Sequence, residues 1–321
     1  MKSYSMMCFF LSLAMILCPL ISVEKANDSI SQEFLGETFV NSELNSNPSY
    51  KDATVKIMSA DSKNITEISL REYLIGVAFV EVGPYYHEEA IKAQIVASHT
   101  MLEYTKSHKT EDLLGADITD DSSTHQGYMD IEEQKQKFGE NYSVYREKIE
   151  KCVDEVIPYI IYYDNEPIIA TYFAISNGNT ENAKDVWGGD VPYLISVSSE
   201  QDKNATNFTS TKTFTTENFE ETIIQNGGKG IEIGEIKRTD TGMVKTIVIG
   251  GKAFKGTEIR KLFSLKSSTF EISEENGKIT FTVKGYGHGV GMSQHGANCL
   301  AKEGKTYKEI LAHYYPNTVI K

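Results

Sequence analysis

Between residues 285 and 291 every second residue is glycine: Gly285-Tyr286-Gly287-His288-Gly289-Val290-Gly291, followed by Met292-Ser293-Gln294-His295-Gly296. No other stretch restricts the fold so sharply. On a strand, alternate residues share a face. The spacing therefore predicts a strand with one face bare, open to close approach by a ligand or by another backbone. The other face presents Tyr286, His288 and Val290, and Ser293, Gln294 and His295 follow at the strand's end. The register of a dinucleotide loop is absent, and no Gly-Lys-Ser/Thr follows, so neither nucleotide fingerprint is present. A purely structural strand and a binding strand both remain open.

Residues 70–81 supply a second constraint. Ser69 precedes Leu70 and is followed three residues later by Glu72, the capping-box signature of a helix start. Gly83-Pro84 ends the helix. Leu70, Leu74 and Val77 mark one apolar stripe, and the next position on that stripe is Glu81. Burial disfavours a carboxylate, and so does the negative end of the helix dipole. A carboxyl group kept protonated in this way can act as a general acid, for example toward a leaving glycosidic oxygen. The plain alternative is a solvated glutamate, or one paired with Lys92 on the following helix.

The rest of the chain reads as α+β. Val55 and Ile57 with Ile65 and Ile68 predict a β-hairpin. A second helix is expected from about His87 to Ser107, a polar loop over 110–135, and a helix over 141–156. Strands are expected at 157–163, 168–175, 231–236, 244–249, 270–272 and 279–283, with turns at Asp164-Asn165 and Asn276-Gly277. Short helices are expected at 257–263 and 307–314. The expectation is a set of short helices around Glu81 with a β-rich remainder. Residues 6–23 are an almost unbroken apolar run after Lys2, which reads as an export signal or an uncleaved membrane anchor. The expected organisation is a signal-anchor over 1–23, a polar flexible linker over 24–50, and a folded domain over 51–321 with room for two subdomains.

Chemistry classes narrow further. The formal net charge of −13 excludes the global basic face that nucleic-acid binding needs, whereas a neutral or weakly charged polymer fits. Cys152 and Cys299 form no zinc pattern, and either one bridge or two free thiols suits them. Neither lies in a nucleophile motif. His125, in a polar loop, has no neighbours at metal-ligand spacing and reads as solvent-exposed. It is the first residue to consider if a metal is held.

The chain resembles the sporulation-D family of cell-wall proteins, which share the sporulation-D/amidase-enhancer domain. The match runs through residues 70–81 and 89–97; then Ala170 to Phe173 with 182–194, including Asp185-Val-Trp-Gly-Gly189; then 259–262 with 265–270; and finally 285–297 with 307–315. The resemblance implies a lytic transglycosylase that cuts the bond from N-acetylmuramic acid to N-acetylglucosamine in peptidoglycan and leaves a 1,6-anhydro end, with Glu81 as its catalytic group. It implies substrate contacts for Lys92, Tyr172, Tyr286, His288, Ser293 and Gln294. A non-catalytic enhancer of a cell-wall amidase is the alternative it allows. Where the family usually shows arginine after the Ala-Gln-x-Val-Ala run, this chain has His99, which lacks arginine's permanent charge and bidentate fork. Zinc-binding relatives carry cysteines around the loop that holds His125. This chain has none there, so no structural zinc and no cofactor are expected. The implied partners are peptidoglycan glycan strands, a sporulation amidase or endopeptidase and a membrane scaffold protein. The implied location is the outer face of the cell membrane at the sporulation septum, where the protein remodels wall during engulfment.

Overall fold

The computed structural model describes residues 50, 52–108, 113–121 and 124–321. The anchor expected at 1–23 and the linker at 24–50 lie outside the described residues, Tyr50 excepted. Among the described residues no helix is long and apolar enough to cross a membrane.

The expected hairpin is β1 (Thr54–Met58) and β2 (Ile65–Ser69), with Val55 opposite Ile68. It feeds directly into α1 (Leu70–Glu81), whose first turn is capped by Ser69 accepting from the Glu72 N–H at 3.1 Å. The reciprocal half of the expected capping box is not made. The Glu72 carboxylate instead pairs with Arg146 at 2.6 Å, because an arginine is a stronger partner than one backbone N–H. Gly83, at φ +67°, closes the helix by donating to the Ala78 carbonyl at 2.9 Å. Burial extends beyond the Leu70, Leu74, Val77 stripe to Tyr73, Ile75, Ala78 and Phe79. This is a core helix, so the last turn carries Glu81 inward whichever stripe is drawn.

Next come α2 (Glu88–Ser107), β3 (Ile118–Thr119), α3 (Ile131–Phe138) and α4 (Tyr142–Val156). The polar loop expected over 110–135 therefore contains a strand, parallel to β1, and the start of a helix. Asp130 and Glu133 form a complete capping box there. Strand β4 (Ile161–Tyr163) turns through Asp164 and Asn165, both at positive φ, into β5 (Glu166–Pro167), as a tight hairpin requires. The strand expected over 168–175 shrinks to β6 (Tyr172–Phe173), and α5 (Ala183–Val186) follows.

Residues 209–284 form an inserted module: β7 (Thr209–Thr215), α6 (Thr216–Gln225), β8 (Ile233–Arg238), β9 (Val244–Ile249), β10 (Lys252–Lys255), α7 (Gly256–Leu262), β11 (Phe270–Glu275) and β12 (Lys278–Lys284). It holds two three-stranded sheets, β10-β9-β8 and β11-β12-β7. Its own core is built on Phe219, Phe254, Phe263, Phe270 and Phe281. Thr209 pairs with Lys284, so the chain leaves the module where it entered. The main core then resumes with β13 (Met292–Ser293), parallel to β6, followed by α8 (Gln294–Lys302), α9 (Tyr307–Tyr314) and β14 (Val319–Ile320) on β4. It is packed around α1 and α2. The seam between the two cores is polar. Asn177 Nδ2 donates to Thr241 O at 3.0 Å and to Thr269 Oγ1 at 3.1 Å, Lys245 pairs with Asp185 at 2.9 Å, and the Thr241 hydroxyl donates to Glu181.

The glycine-alternating stretch corrects the expectation made for it. It is not a strand with a bare face. Gly285, Gly287, Gly289 and Gly291 have φ of +75°, +124°, +88° and +79°, the left-handed region that favours glycine. Their missing side chains let residues 171–181 pack tightly: a Cβ on Gly291 would lie 2.0 Å from the Thr171 carbonyl oxygen, and one on Gly287 would lie 2.5 Å from Phe173 Cβ. Tyr286 and Val290 share no face, since Tyr286 is 47% exposed and Val290 fully buried. Cys152 and Cys299 are both free thiols.

Candidate active site

Glu81 ends α1 at the floor of a cleft of about 300 Å³ that Thr105, His125, Gln126, Tyr172 and His288 also line. Its Oε1 accepts from the Gly127 N–H at 3.2 Å and its Oε2 from Gln294 Nε2 at 3.3 Å. Burial pushes its pKa up from the ordinary carboxylate value, opposed by the bonds from Gly127 and Gln294 to the anion. These donors are neutral, and each favours the charged form without neutralising it. Among the described residues Glu81 is the sole carboxylate lining the cleft.

Around it stands a hydrogen-bonded frame of amides and hydroxyls. The Tyr172 hydroxyl donates to Gln126 Oε1 at 2.9 Å, and Gln126 Nε2 donates to Ser98 O at 3.0 Å and Tyr73 Oη at 3.3 Å. Gln294 Nε2 also donates to Gln94 Oε1 at 3.3 Å, and Gln94 Nε2 to Ser98 Oγ at 3.0 Å. Such a network is rigid because each amide is oriented by its partners. Burial, and after it the Glu81 charge, raises the pKa of Tyr172 and Tyr73, so both stay phenols. His288 Nδ1 accepts from the Val290 N–H at 3.2 Å. Its proton therefore sits on Nε2, which donates to the Tyr172 carbonyl at 3.0 Å. Burial, then the charge of Arg260, lowers the His288 pKa to about 4, so the ring is a neutral fixture of the wall and no general acid at neutral pH.

The structure gathers Glu81, Tyr172, His288 and Gln294 in one place. It sets the other expected residues elsewhere. Lys92 ion-pairs with Glu89 at 2.9 Å and with Glu155 at 2.5 Å, on the contact between α2 and α4. It is not the partner of Glu81. Ser293 is fully buried and caps α8, its Oγ accepting from the Gly296 N–H at 3.2 Å. Tyr286 lies outside the cleft lining, with the Lys266 ammonium 5.3 Å above its ring. His125 is half-buried in the cleft wall and not a solvent-exposed loop residue, with its Nδ1 accepting from the Thr119 N–H at 3.4 Å. Among the described residues no three His, Cys, Asp or Glu side chains are placed to hold a metal. His99 is buried edge-on against Tyr50, with ring centroids 5.5 Å apart, and is absent from the cleft lining. The frame residues Gln94, Ser98, Gln126 and Tyr73 escaped the sequence reading. Gln94 and Ser98 lie four apart on one face of α2 amid apolar neighbours, a signal that was available. Gln126 carried none.

Chemically, the site offers one buried carboxyl group, held by weak neutral donors, beside an open cleft. It can give up a proton and take one back.

A family model described as stage II sporulation protein matches residues 59–163. The chain is 37% identical over 269 residues to stage II sporulation protein D of Bacillus subtilis (strain 168), covering 83% of this chain and 78% of that protein. It is 36% identical over 273 residues to the protein of the same name from Bacillus amyloliquefaciens, covering 84% and 79%. It is also 26% identical over 302 residues to the amidase enhancer of Bacillus subtilis (strain 168), covering 77% of this chain and 40% of that protein.

Proposed function

The chain belongs to the stage II sporulation protein D family, and from that premise we propose that it is a lytic transglycosylase of peptidoglycan with Glu81 as its single acid and base. The observation that carries this reading is the lone carboxyl group: Glu81, with its pKa raised by burial, faces a cleft without a second carboxylate among its described lining residues. Most hydrolytic glycosidases use two carboxyl groups, one to protonate the leaving oxygen and one to act as nucleophile or to activate water. A transglycosylase needs one. Protonated Glu81 gives its proton to the glycosidic oxygen as the bond from the anomeric carbon of N-acetylmuramic acid breaks. The resulting carboxylate takes the proton of the same sugar's 6-hydroxyl as that oxygen closes on the anomeric carbon. The product is a 1,6-anhydro end, Glu81 is protonated again, and no water is consumed.

The proposed setting is the outer face of the membrane at the sporulation septum, beside a cell-wall amidase. A second reading, a glycan-binding enhancer without its own catalysis, draws on the likeness to the amidase enhancer. Incubating the full chain with peptide-free glycan strands separates them. The native chain is expected to release fragments, and Glu81→Gln to bind the strands while releasing at least about 100-fold less. Equal release by both variants contradicts the assignment of Glu81. No release by either leaves the enhancer.

A further inference from the structure

Trp187 is the one tryptophan of the chain, and the reaction proposed above gives it no part. It closes α5, its backbone N–H donating to the Ala183 carbonyl at 2.7 Å. That short helix is pinned on both sides. The Ala183 N–H donates to Leu194 O at 2.9 Å and the Ser196 N–H to Asn182 Oδ1 at 3.0 Å, while Lys245 of the inserted module holds Asp185 at 2.9 Å. The indole packs partly on the main core. Its ring centroid lies 5.4 Å from that of His288, with the planes tilted by 44°. His288 lines the Glu81 cleft, so a single side chain links the indole to the cleft wall. That side chain is itself fixed at both ring nitrogens, by the Val290 N–H and the Tyr172 carbonyl.

Part of the indole stays open. Trp187 is only half-buried, and its Nε1–H has no hydrogen-bond partner among the described residues. Gly188 and Gly189 follow, and a Cβ on either would meet nothing within 4 Å, so there is free space along this rim. A tryptophan kept for packing alone is covered over, and its N–H finds an acceptor. The position also separates Trp187 from other rings. Phe173, the other ring against His288, is buried. Tyr85 is exposed but packs on Tyr145, and Tyr286 lies under the Lys266 ammonium. Neither makes a ring contact with a cleft-lining residue among those described.

A pyranose with equatorial substituents carries C–H bonds on its faces and oxygens around its edge. An indole matches both, with an apolar, electron-rich face and one donor at its edge. Because the ring is already held in place, little freedom is lost when a sugar meets it. Resting on the glycan reading above, we propose that Trp187 is a sugar-stacking residue at the rim of the cleft. Its face receives a hexosamine ring that flanks the reacting one, and its Nε1–H donates to an oxygen of that sugar. Binding energy from a part of the strand that does not react then holds the scissile bond against Glu81. A strand too short to reach the indole loses that hold, so Trp187 makes the site prefer longer strands.

The test reads binding apart from cleavage. The full-length Glu81→Gln chain is titrated with a muramyl disaccharide and with a longer peptide-free glycan oligosaccharide, by calorimetry and by tryptophan fluorescence excited where tyrosine does not absorb. With one tryptophan in the chain, the emission belongs to Trp187. The longer probe is expected to bind more tightly, to shift the emission to the blue and to shield the indole from acrylamide, at the midpoint calorimetry gives. Trp187→Ala should weaken binding of the longer probe about ten-fold and leave the disaccharide nearly unchanged. Trp187→Phe, which keeps a ring without the donor, should lose only a few-fold. Thermal melts check that both variants fold, and if the alanine variant does not, emission from the intact indole still decides. Calorimetric binding of the longer probe with unchanged emission and quenching overturns the subsite while leaving the glycan reading in place. Unchanged affinity in Trp187→Ala does the same. No binding of either probe overturns both. A saturable emission change in a chain whose native form releases no fragments keeps the subsite and removes the proposed reaction.

Discussion

Glu81 and His99 are both buried titratable groups, and their burial has opposite consequences. At Glu81 burial raises the pKa while the hydrogen bonds from the Gly127 N–H and the Gln294 amide to the anion lower it. A general acid works only while protonated, so kcat/KM should fall as pH rises through the Glu81 pKa. Gln294→Leu removes a donor that favours the charged form, so Glu81 titrates higher and the alkaline limb of the pH profile should move upward. A limb that stays in place or moves down contradicts the assignment. At His99 burial, followed by the charge of Lys106, lowers the pKa to about 3 from 6.5. The unfolded chain therefore takes up a proton below about pH 6.5 that the folded chain refuses. Stability should fall as pH drops from about 6.5 toward about 3, by roughly 1.4 kcal/mol per unit. Thermal melts of His99→Phe against the native chain should diverge over that window, with the variant losing less stability. Parallel curves would show that His99 does not titrate in this way. The position holds a packing residue beside Tyr50, so the missing arginine charge is not a charge missing from the cleft wall.

At the scale of elements, legibility followed how local the determining physics is. Helix α1 appears with the boundaries read from its cap and periodicity, and helix α9 and strand β9 stand at the bounds expected for them. The tight turns at Asp164-Asn165 and Asn276-Gly277 also stand where expected, because positive φ is a local demand. Helix α3 was hidden by its polarity, since most of its residues face solvent, although Asp130 and Glu133 announced its start. The glycine stretch misled for a physical reason. Alternating glycine mimics the period of a strand, yet each glycine serves a separate left-handed turn against residues 171–181. That distinction yields a contrast between two substitutions. Gly304, at φ +91° with open space around it, should lose only about 1–2 kcal/mol on change to alanine. Gly291→Ala meets the Thr171 carbonyl as well and should cost several kcal/mol more. It should also lower activity, because it displaces the segment that carries Tyr172. Chemical denaturation and glycan release together check this, and equal losses at the two positions would contradict the packing argument.

At the scale of the whole molecule, the site is an assembly of distant pieces. Glu81 comes from α1, Gln126 and Gly127 from the segment after β3, Tyr172 from β6, and Gln294 from α8, more than two hundred residues from Glu81. The sequence could mark Glu81 as a carboxylate on a buried helix. It could not say which amides would surround it, because those contacts exist only once the segments before and after the inserted module have packed into one core. The central claim is that this assembly does its chemistry with one carboxyl group and without water. The most direct measurement is cleavage of peptide-free glycan by the full chain in heavy-oxygen water, with Glu81→Gln as control and mass spectrometry of the new ends. The account predicts unlabelled 1,6-anhydro ends, absent with the variant. New ends that are reducing and carry heavy oxygen would contradict it, since they require an activated water and a second catalytic group beside Glu81.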